Sequence, residues 1–184
     1  MAEWDLAIDE HTAKYDMLFR NFFRYSFVVL LVLFIENSLR NLCYAVQDVK
    51  GSSRKVPNAQ QAILAEYKKY LRQEGLSVPE SFWETINTLT KVRNCIVHSS
   101  GKVTGSKHEK DLRNAAKQGI GIQISDIYSK SELQPLYRED DMLVLETKYC
   151  RQIVEDVKQL LEQLCDAVPL HRIDWSSAFS SKHE

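Results

Sequence analysis

The sequence has few of the residues that tight turns require, with six Gly and four Pro among 184 positions. Sandwiches and barrels need a turn about every 8–12 residues, so this shortage argues against an all-β fold. The chain also lacks a Cys-x-x-Cys pair, and the positions of its four cysteines suit neither a zinc site nor a disulfide framework. Three of them, Cys43, Cys95 and Cys165, lie in apolar helical patterns and are expected to be buried thiols.

Neither sign of charge dominates, since 24 Lys and Arg face 25 Asp and Glu. Overall charge therefore identifies no partner, and an electrostatic argument must be local. The longest uncharged apolar stretch covers only the eleven residues 25–35, whereas a membrane span needs about 17 or more. The acidic N-terminus has no signal-peptide pattern. We expect a soluble, cytoplasmic protein with no membrane partner.

Hydrophobic periodicity predicts helices over most of the chain. The first is one long helix, or two in series, from about Asp9 to Val49. Its middle, residues 27–35, is apolar all round and should be buried on several sides. Further helices are predicted at 58–75, at 77–97, near 109–117 and at 147–168.

Between the last two helices, Ile120, Ile122 and Ile124 alternate as in a strand, and the apolar run 142–145 indicates a second one. We therefore predict a mainly α fold, a bundle of four to five helices with a small β-hairpin insertion at about 119–146. A single domain is expected over 1–168, followed by a polar tail at 169–184.

An arginine interrupts the apolar face of the helix predicted at 77–97. At 100° per residue, Arg93 lies about 20° from Phe82 around the helix axis, within the stripe of Phe82, Ile86, Leu89, Val92 and Ile96. Arginine keeps its charge, and a buried unpaired charge is costly. We therefore expect an anionic partner or a pocket. Glu36, the one acidic residue between Asp16 and Asp48, is the candidate partner, in a contact that is either catalytic or purely structural.

His98 follows Arg93 by five positions, which separates the two side chains by roughly 140° on a continuous helix. Asn94 and His98, four residues apart, share a face. For Arg93 and His98 to act on one atom, the helix must kink at its end or a second copy of the chain must contribute.

The segment Arg93-Asn94-x-x-x-His98-x-x-Gly101 at a helix end resembles the R-x4-6-H signature of HEPN domains. Residues 34–40, Phe-Ile-Glu-Asn-Ser-Leu-Arg, are similar to the Glu-containing first core helix of that superfamily. The resemblance covers residues 15–168. It implies a HEPN-like bundle and a metal-independent endoribonuclease without cofactors, as found in toxin–antitoxin, abortive-infection and RNA-processing systems.

The resemblance also implies roles and partners. Arg93 and His98 would be catalytic, Asn94 would position the histidine or the RNA, and Glu36 would orient Arg93. A homodimer would bring both copies of the Arg and His to one cleft, and an antitoxin or regulatory protein would restrain it. Other HEPN proteins are non-catalytic binding modules, so an RNA- or protein-binding module with a structural Arg93–Glu36 pair is the alternative.

These residue types suit metal-free RNA cleavage. Attack of the 2′-hydroxyl on phosphorus needs a base, an acid for the leaving 5′-oxygen and a cation for the developing charge. Histidine transfers protons near neutral pH, and the arginine fork fits phosphoryl oxygens. In a symmetric dimer one His98 would act as base and its mate as acid. The product would carry a 2′,3′-cyclic phosphate, and DNA would be inert.

Charge is concentrated locally. Residues 91–117 carry seven basic and two acidic side chains, a net of +5, and residues 132–166 carry a net of −5. Candidate RNA contacts are Lys91, Ser99, Lys102 and Lys107. Equally, the basic loop could be a solvated surface that pairs with the acidic C-terminal helix.

The remaining candidate residues give weaker indications of function. His108 lies in the basic loop and could contact RNA, but we expect a surface residue. Cys95 is expected in the core and not as a nucleophile. No histidine has metal-ligand spacing, so no metal site is predicted. The aromatic residues Phe19, Phe22, Phe23, Tyr25 and Phe27 are expected to form core or a dimer surface.

Overall fold

The computed structural model of the protein describes residues 2–57, 64–76, 79–125 and 141–168, the side chains of residues 2–14 and 17 excepted. This part of the chain contains five helices and two strands: α1 (Ala2–Lys50), α2 (Leu64–Gln73), α3 (Glu80–Ser99), α4 (Glu109–Lys117), β1 (Ile122–Ser125), β2 (Met142–Leu145) and α5 (Thr147–Ala167). The architecture is mainly helical with one small antiparallel sheet, as the sequence predicts.

The helix bounds follow the local sequence signals. Because residues 2–50 contain neither Gly nor Pro, α1 is one helix of 49 residues that starts earlier than predicted. Helix α4 has the predicted bounds. Helix α3 continues to Ser99, beyond the predicted end, so His98 lies within it. The predicted helix starts at 58 and 77 and the tail at 169–184 lie outside the described residues.

The two strands form the predicted hairpin sheet. Ile122 stands opposite Leu145, and Ser125 stands opposite Met142. The expectation that Ile120 belongs to the strand is wrong, because β2 gives way to α5 after Leu145 and leaves position 120 without a partner. The last backbone hydrogen bond at this end runs from Glu146 N–H to Gly121 C=O, and Ile120 is exposed.

The described residues group into two compact units, which fall within Met1–Val32 with Asn87–Val154 and within Leu33–Ile86 with Glu155–Glu184. Apolar side chains buried in the first unit include Val28, Val32, Leu89, Val92, Leu112, Ile122, Leu143, Leu145 and Ile153. Those buried in the second include Ile35, Leu39, Val46, Tyr70, Leu71, Ile86, Leu160 and Leu164. The expectation of a single domain over 1–168 stays a prediction.

In the first unit, α1 and the chain after α3 cover the free edge of β2. The Asn21 side chain donates to Leu143 C=O at 2.9 Å and accepts from Leu145 N–H at 3.0 Å. Arg24 donates to Leu145 C=O at 2.8 Å. Leu143 N–H donates to Gly101 C=O at 2.8 Å. These bonds pair backbone N–H and C=O groups of β2 that would otherwise be open at the sheet edge. They also hold the end of α3 beside the sheet.

The apolar middle of α1 is not buried on several sides. Leu30 is 65% exposed and Phe34 is 55% exposed, while Val28, Val32 and Ile35 are buried. This part of α1 therefore buries one face, and the prediction of burial on several sides is wrong for a single chain. The aromatic residues Phe19, Phe22 and Phe23 are exposed as well.

The same helix bears on membrane association. By length and composition, Leu18–Lys50 is apolar enough to cross a membrane, with 28% of its most apolar window buried. Charged residues divide this stretch, so its uncharged apolar run is shorter than a membrane span. The mostly buried core helix of a soluble protein and a signal sequence near the N-terminus pass the same test.

Candidate functional site

The last turns of α3 carry four of the residues that the sequence singles out, Arg93, Asn94, His98 and Ser99. The helix ends at two consecutive residues with left-handed backbone, Ser100 (φ 51°) and Gly101 (φ 83°). The Tyr25 ring packs against Gly101 so closely that a Cβ at position 101 would lie 2.7 Å from its Cζ atom. Only glycine fits this turn, which leads the chain out of the helix and into the basic loop.

A cavity of about 310 Å³ opens at this end of α3. Its lining residues come from the helix and from the loop that precedes α4: Asn94, Cys95, His98, Ser99, Ser106, Lys107 and His108. The His98 imidazole and Lys107 are exposed, whereas Asn94, Ser99 and His108 are half-buried. The structure thus brings together Asn94, His98, Ser99 and Lys107, four of the predicted site residues, in one cleft.

His108 is the residue of this cleft that sequence reasoning placed on the surface. It occupies the N-cap position of α4, and its imidazole makes no capping hydrogen bond. Desolvation, followed by the charges of Lys107 and Lys91, lowers the pKa of His108, and Asp111 opposes the shift. This shift favours the neutral form of the His108 imidazole. A histidine where Ser, Thr, Asp or Asn would cap a helix is the signal that could have identified it.

Arg93 is half-buried and does not line the cavity with His98. Its Nη1 donates to Asn94 Oδ1 at 3.0 Å, and its buried Nε–H has no hydrogen-bond partner among the described residues. Within the described part of the first unit, no carboxylate forms an ion pair with it. Glu36 is half-buried on α1 in the second unit, and the predicted Arg93–Glu36 contact stays a prediction.

Acidic residues within or beside the basic loop neutralise part of its charge. Lys91 pairs with Asp111 at 2.9 Å. Arg113 pairs with Glu109 at 2.9 Å and with Asp141 at 2.6 Å. The partners of Lys91 and Arg113 thus belong to α4 or lie next to β2. Neither of these two residues shows the expected pairing with the acidic C-terminal helix.

Lys107 and Lys102 differ in their surroundings. Among the described residues Lys107 forms no ion pair, and its side chain is exposed at the cavity. Lys102 is half-buried, and its backbone carbonyl accepts a hydrogen bond from the Cys95 thiol at 3.3 Å. Of the two, Lys107 presents its charge to the cleft.

Cys95 belongs to the core. Burial raises the pKa of its thiol to about 11, so the side chain is protonated at neutral pH and is a poor nucleophile. Cys43 is buried as well, whereas Cys165 is exposed and the expectation of its burial is wrong. Among the residues that the structure describes, no group of three or more His, Cys, Asp or Glu side chains is arranged to hold a metal ion.

Comparison with known proteins gives no match: no family model, no curated protein and no solved structure is similar to this chain.

Proposed function

We propose that the protein is a metal-independent endoribonuclease of the HEPN type, which cleaves RNA by attack of a 2′-hydroxyl on the adjacent phosphorus. The observation that carries this proposal is the cleft at the end of α3. Motif residues Asn94 and His98 line it beside Ser99 and Lys107. These are the groups that metal-free cleavage of a phosphodiester requires, namely a proton-transfer group, a cation and polar positioning groups.

Each residue has a role that its surroundings support. The exposed imidazole of His98 transfers protons, and the unpaired ammonium of Lys107 attracts the phosphate. The Arg93 guanidinium stabilises the charge that develops on the phosphorane. Its hydrogen bond to Asn94 orients it, and its Nε–H lacks a partner in the part of the chain that the structure describes. A buried donor without a partner calls for an explanation, and an anionic ligand of the guanidinium supplies one.

A homodimer belongs to this proposal because Arg93 and His98 point away from each other on one straight helix. Exposed apolar side chains on α1, Phe19, Phe22, Phe23 and Leu30, support a partner surface. Beside them, Phe22, Tyr25, Leu30 and Ile96 help line an apolar cavity of about 490 Å³. Ile96 lies on the helix that carries His98. A second copy on this surface would bring its own α3 towards the first, and Arg93 of one copy would serve the cleft of the other.

The biological setting follows from the chemistry. An endoribonuclease that needs no metal requires restraint in the cell, so we propose a regulatory or antitoxin partner. A cytoplasmic toxin–antitoxin, abortive-infection or related defence system provides such restraint. The apolar surface on α1 would then be covered either by the second copy or by that regulator.

The test is cleavage of single-stranded and structured RNA in the presence of EDTA. The wild-type protein should cut, and Arg93→Ala and His98→Ala should each abolish cutting while circular dichroism and gel filtration stay unchanged. Lys158→Ala, which removes an exposed charge on α5, is the matched control and should cut normally. Products should carry a 2′,3′-cyclic phosphate by mass spectrometry, and a 2′-deoxy substitution at the scissile position should block cleavage. Normal cutting by His98→Ala would refute the proposal.

The exposed apolar surface also favours a second candidate, a non-catalytic helical module that binds RNA or protein, with a structural Arg93–Glu36 pair. Such a module would bind RNA or a protein partner without cutting. Its Arg93→Ala and Glu36→Ala variants would lose stability non-additively in a double-mutant cycle. Under the endoribonuclease proposal, Arg93→Ala abolishes turnover while most of the stability remains.

A further inference from the structure

The cleft holds two imidazoles of the same chain, His98 from the end of α3 and His108 from the loop before α4. We propose that His98 and His108 of one chain form the acid–base pair of RNA cleavage, with Lys107 holding the phosphate beside them. This inference rests on the proposed endoribonuclease function. It replaces the expectation that the two proton-transfer groups are the His98 residues of two subunits.

The reaction balances with these two groups alone. Neutral His108 accepts the proton of the 2′-hydroxyl as the bond between O2′ and phosphorus forms. Protonated His98 donates its proton to the 5′-oxygen as the bond between phosphorus and O5′ breaks. The products are a 2′,3′-cyclic phosphate and a 5′-hydroxyl. Exchange of protons with water returns both imidazoles to their starting states.

Hydrogen bonds from backbone N–H groups hold the segment between the two histidines in place. Gly101 N–H donates to Cys95 C=O at 3.1 Å, and Ser106 N–H donates to Val103 C=O at 3.0 Å. Gly105 N–H donates to the Glu109 carboxylate at 2.8 Å. The fully buried Val103 anchors this turn. The loop therefore places His108 at the cleft before any ligand binds, which is what efficient proton transfer requires.

Neither imidazole serves to hold the fold together. Within the described part of the chain, the side chains of His98 and His108 make no hydrogen bond and no ion pair. His108 stands at the start of α4, where a capping side chain would stabilise the helix, and yet its imidazole makes no capping hydrogen bond. Its ring nitrogens are thus available to a substrate in the cleft.

The surroundings of His108 suit it to the role of the base. Lys91 and Lys107 face His108 from α3 and from the loop, and Asp111 faces it from α4. His98 lines the same cavity. With desolvation, the two ammonium groups lower the pKa of His108, which suits a general base that must be neutral. A neutral base and a protonated acid in one cleft predict a bell-shaped dependence of kcat/KM on pH.

The first experiment compares single-turnover cleavage of a short fluorescent RNA by the wild type, His98→Asn, His108→Asn and Lys110→Gln. Asparagine is a favourable N-cap residue, so His108→Asn should fold at least as stably as the wild type. We expect each histidine variant to lose about 10²–10⁴-fold in rate, with Lys110→Gln unchanged. The residual activity of His108→Asn should lack the acidic limb of the pH profile, and added imidazole should rescue His108→Ala.

A second experiment asks whether one chain supplies both groups. His98→Asn and His108→Asn chains are co-expressed, and the complex that contains both is purified with two affinity tags. If both imidazoles act within one chain, the mixed complex stays inactive. Recovery of cutting in the mixed complex would overturn the pairing, because one intact composite site would then form across two chains.

The outcomes separate this inference from the proposed function. A wild type that cuts, with inactive His98→Asn and fully active His108→Asn, would refute the role of His108 and leave the endoribonuclease standing. A wild type that never cuts RNA would refute the endoribonuclease itself, and the histidine pair would fall with it. Loss of cutting in both variants, with normal folding and no recovery on mixing, is the expected result.

Discussion

Gly101 and Tyr25 are in such close contact that no larger residue fits at position 101. The backbone there has φ 83°, and a Cβ would lie 2.7 Å from both Cε2 and Cζ of the Tyr25 ring. We expect Gly101→Ala to destabilise the fold by about 1–2 kcal/mol for the left-handed backbone and by about 1–3 kcal/mol more for the overlap with the ring.

Gly105 provides the control for this prediction. Its φ is 77°, but a Cβ there would meet no atom within 4 Å. Gly105→Ala should therefore lose only the backbone contribution of about 1–2 kcal/mol. Urea unfolding followed by circular dichroism measures both variants. Equal losses would show that Tyr25 yields easily and does not hold the end of α3.

Asn21 links α1 to β2 through both ends of its amide. Asn21→Leu keeps the volume but leaves the buried Leu145 N–H without its partner, while Tyr25 still donates to Leu143 C=O. We expect a loss of about 1–3 kcal/mol in the free energy of unfolding. Asn37→Leu, on an exposed position of the same helix, should change it by less than about 0.5 kcal/mol. A similar effect of both substitutions would contradict this account of the hairpin edge.

The cysteines should react in order of exposure. Burial raises the pKa of Cys43 to about 12 and that of Cys95 to about 11, whereas Cys165 is exposed. Iodoacetamide at about pH 8 should label Cys165 in the native protein and leave Cys43 and Cys95 unmodified until urea unfolds the chain. Peptide mass mapping identifies the labelled cysteines. Native Cys95 labelling at the rate of Cys165 would show that the end of α3 opens readily.

Stability should fall as the solution is acidified through the range in which histidine titrates. The folded state holds the pKa of His108 below its ordinary value of 6.5, so the unfolded chain binds a proton that the folded chain resists. The contribution is fully present above about pH 7 and is lost as pH falls through 6.5 towards the lower folded value.

His108→Asn removes this contribution. Its melting temperature should decline less than that of the wild type between about pH 7 and pH 5. The lowered pKa values of Glu109 and Asp111 act at more acidic pH and do not interfere in this window. Parallel declines of the two proteins would show that His108 titrates normally in the folded state.

The sequence was informative where local signals decide the structure. The α4 bounds, the Met142–Leu145 strand and the α5 helix follow from turn residues and periodicity within short windows. Residues Asn94, His98, Ser99 and Lys107 were identified from motif and charge. They meet in one cleft because α3 and the loop after it are close in the chain.

What sequence reasoning missed depends on tertiary contacts. The apolar residues Leu30 and Phe34 look like core in any periodicity argument, and their exposure depends on what packs against the other face of α1. Cys165 shares its helix with buried leucines but lies on the opposite side. No sequence pattern links His108 to His98. The two imidazoles line one cavity because the chain turns at Gly101 and Val103.

The division into two units has a consequence for how the chain is made. The first unit needs residues 1–32 and 87–154, with the 54 residues from Leu33 to Ile86 between them. At roughly 5–20 residues per second, a ribosome adds that interval in roughly 3–11 s. During this time Tyr25, Val28 and Val32, which are buried in the folded protein, lack the later part of their unit. We therefore expect a newly synthesised α1 to be open to chaperones until that part has been made.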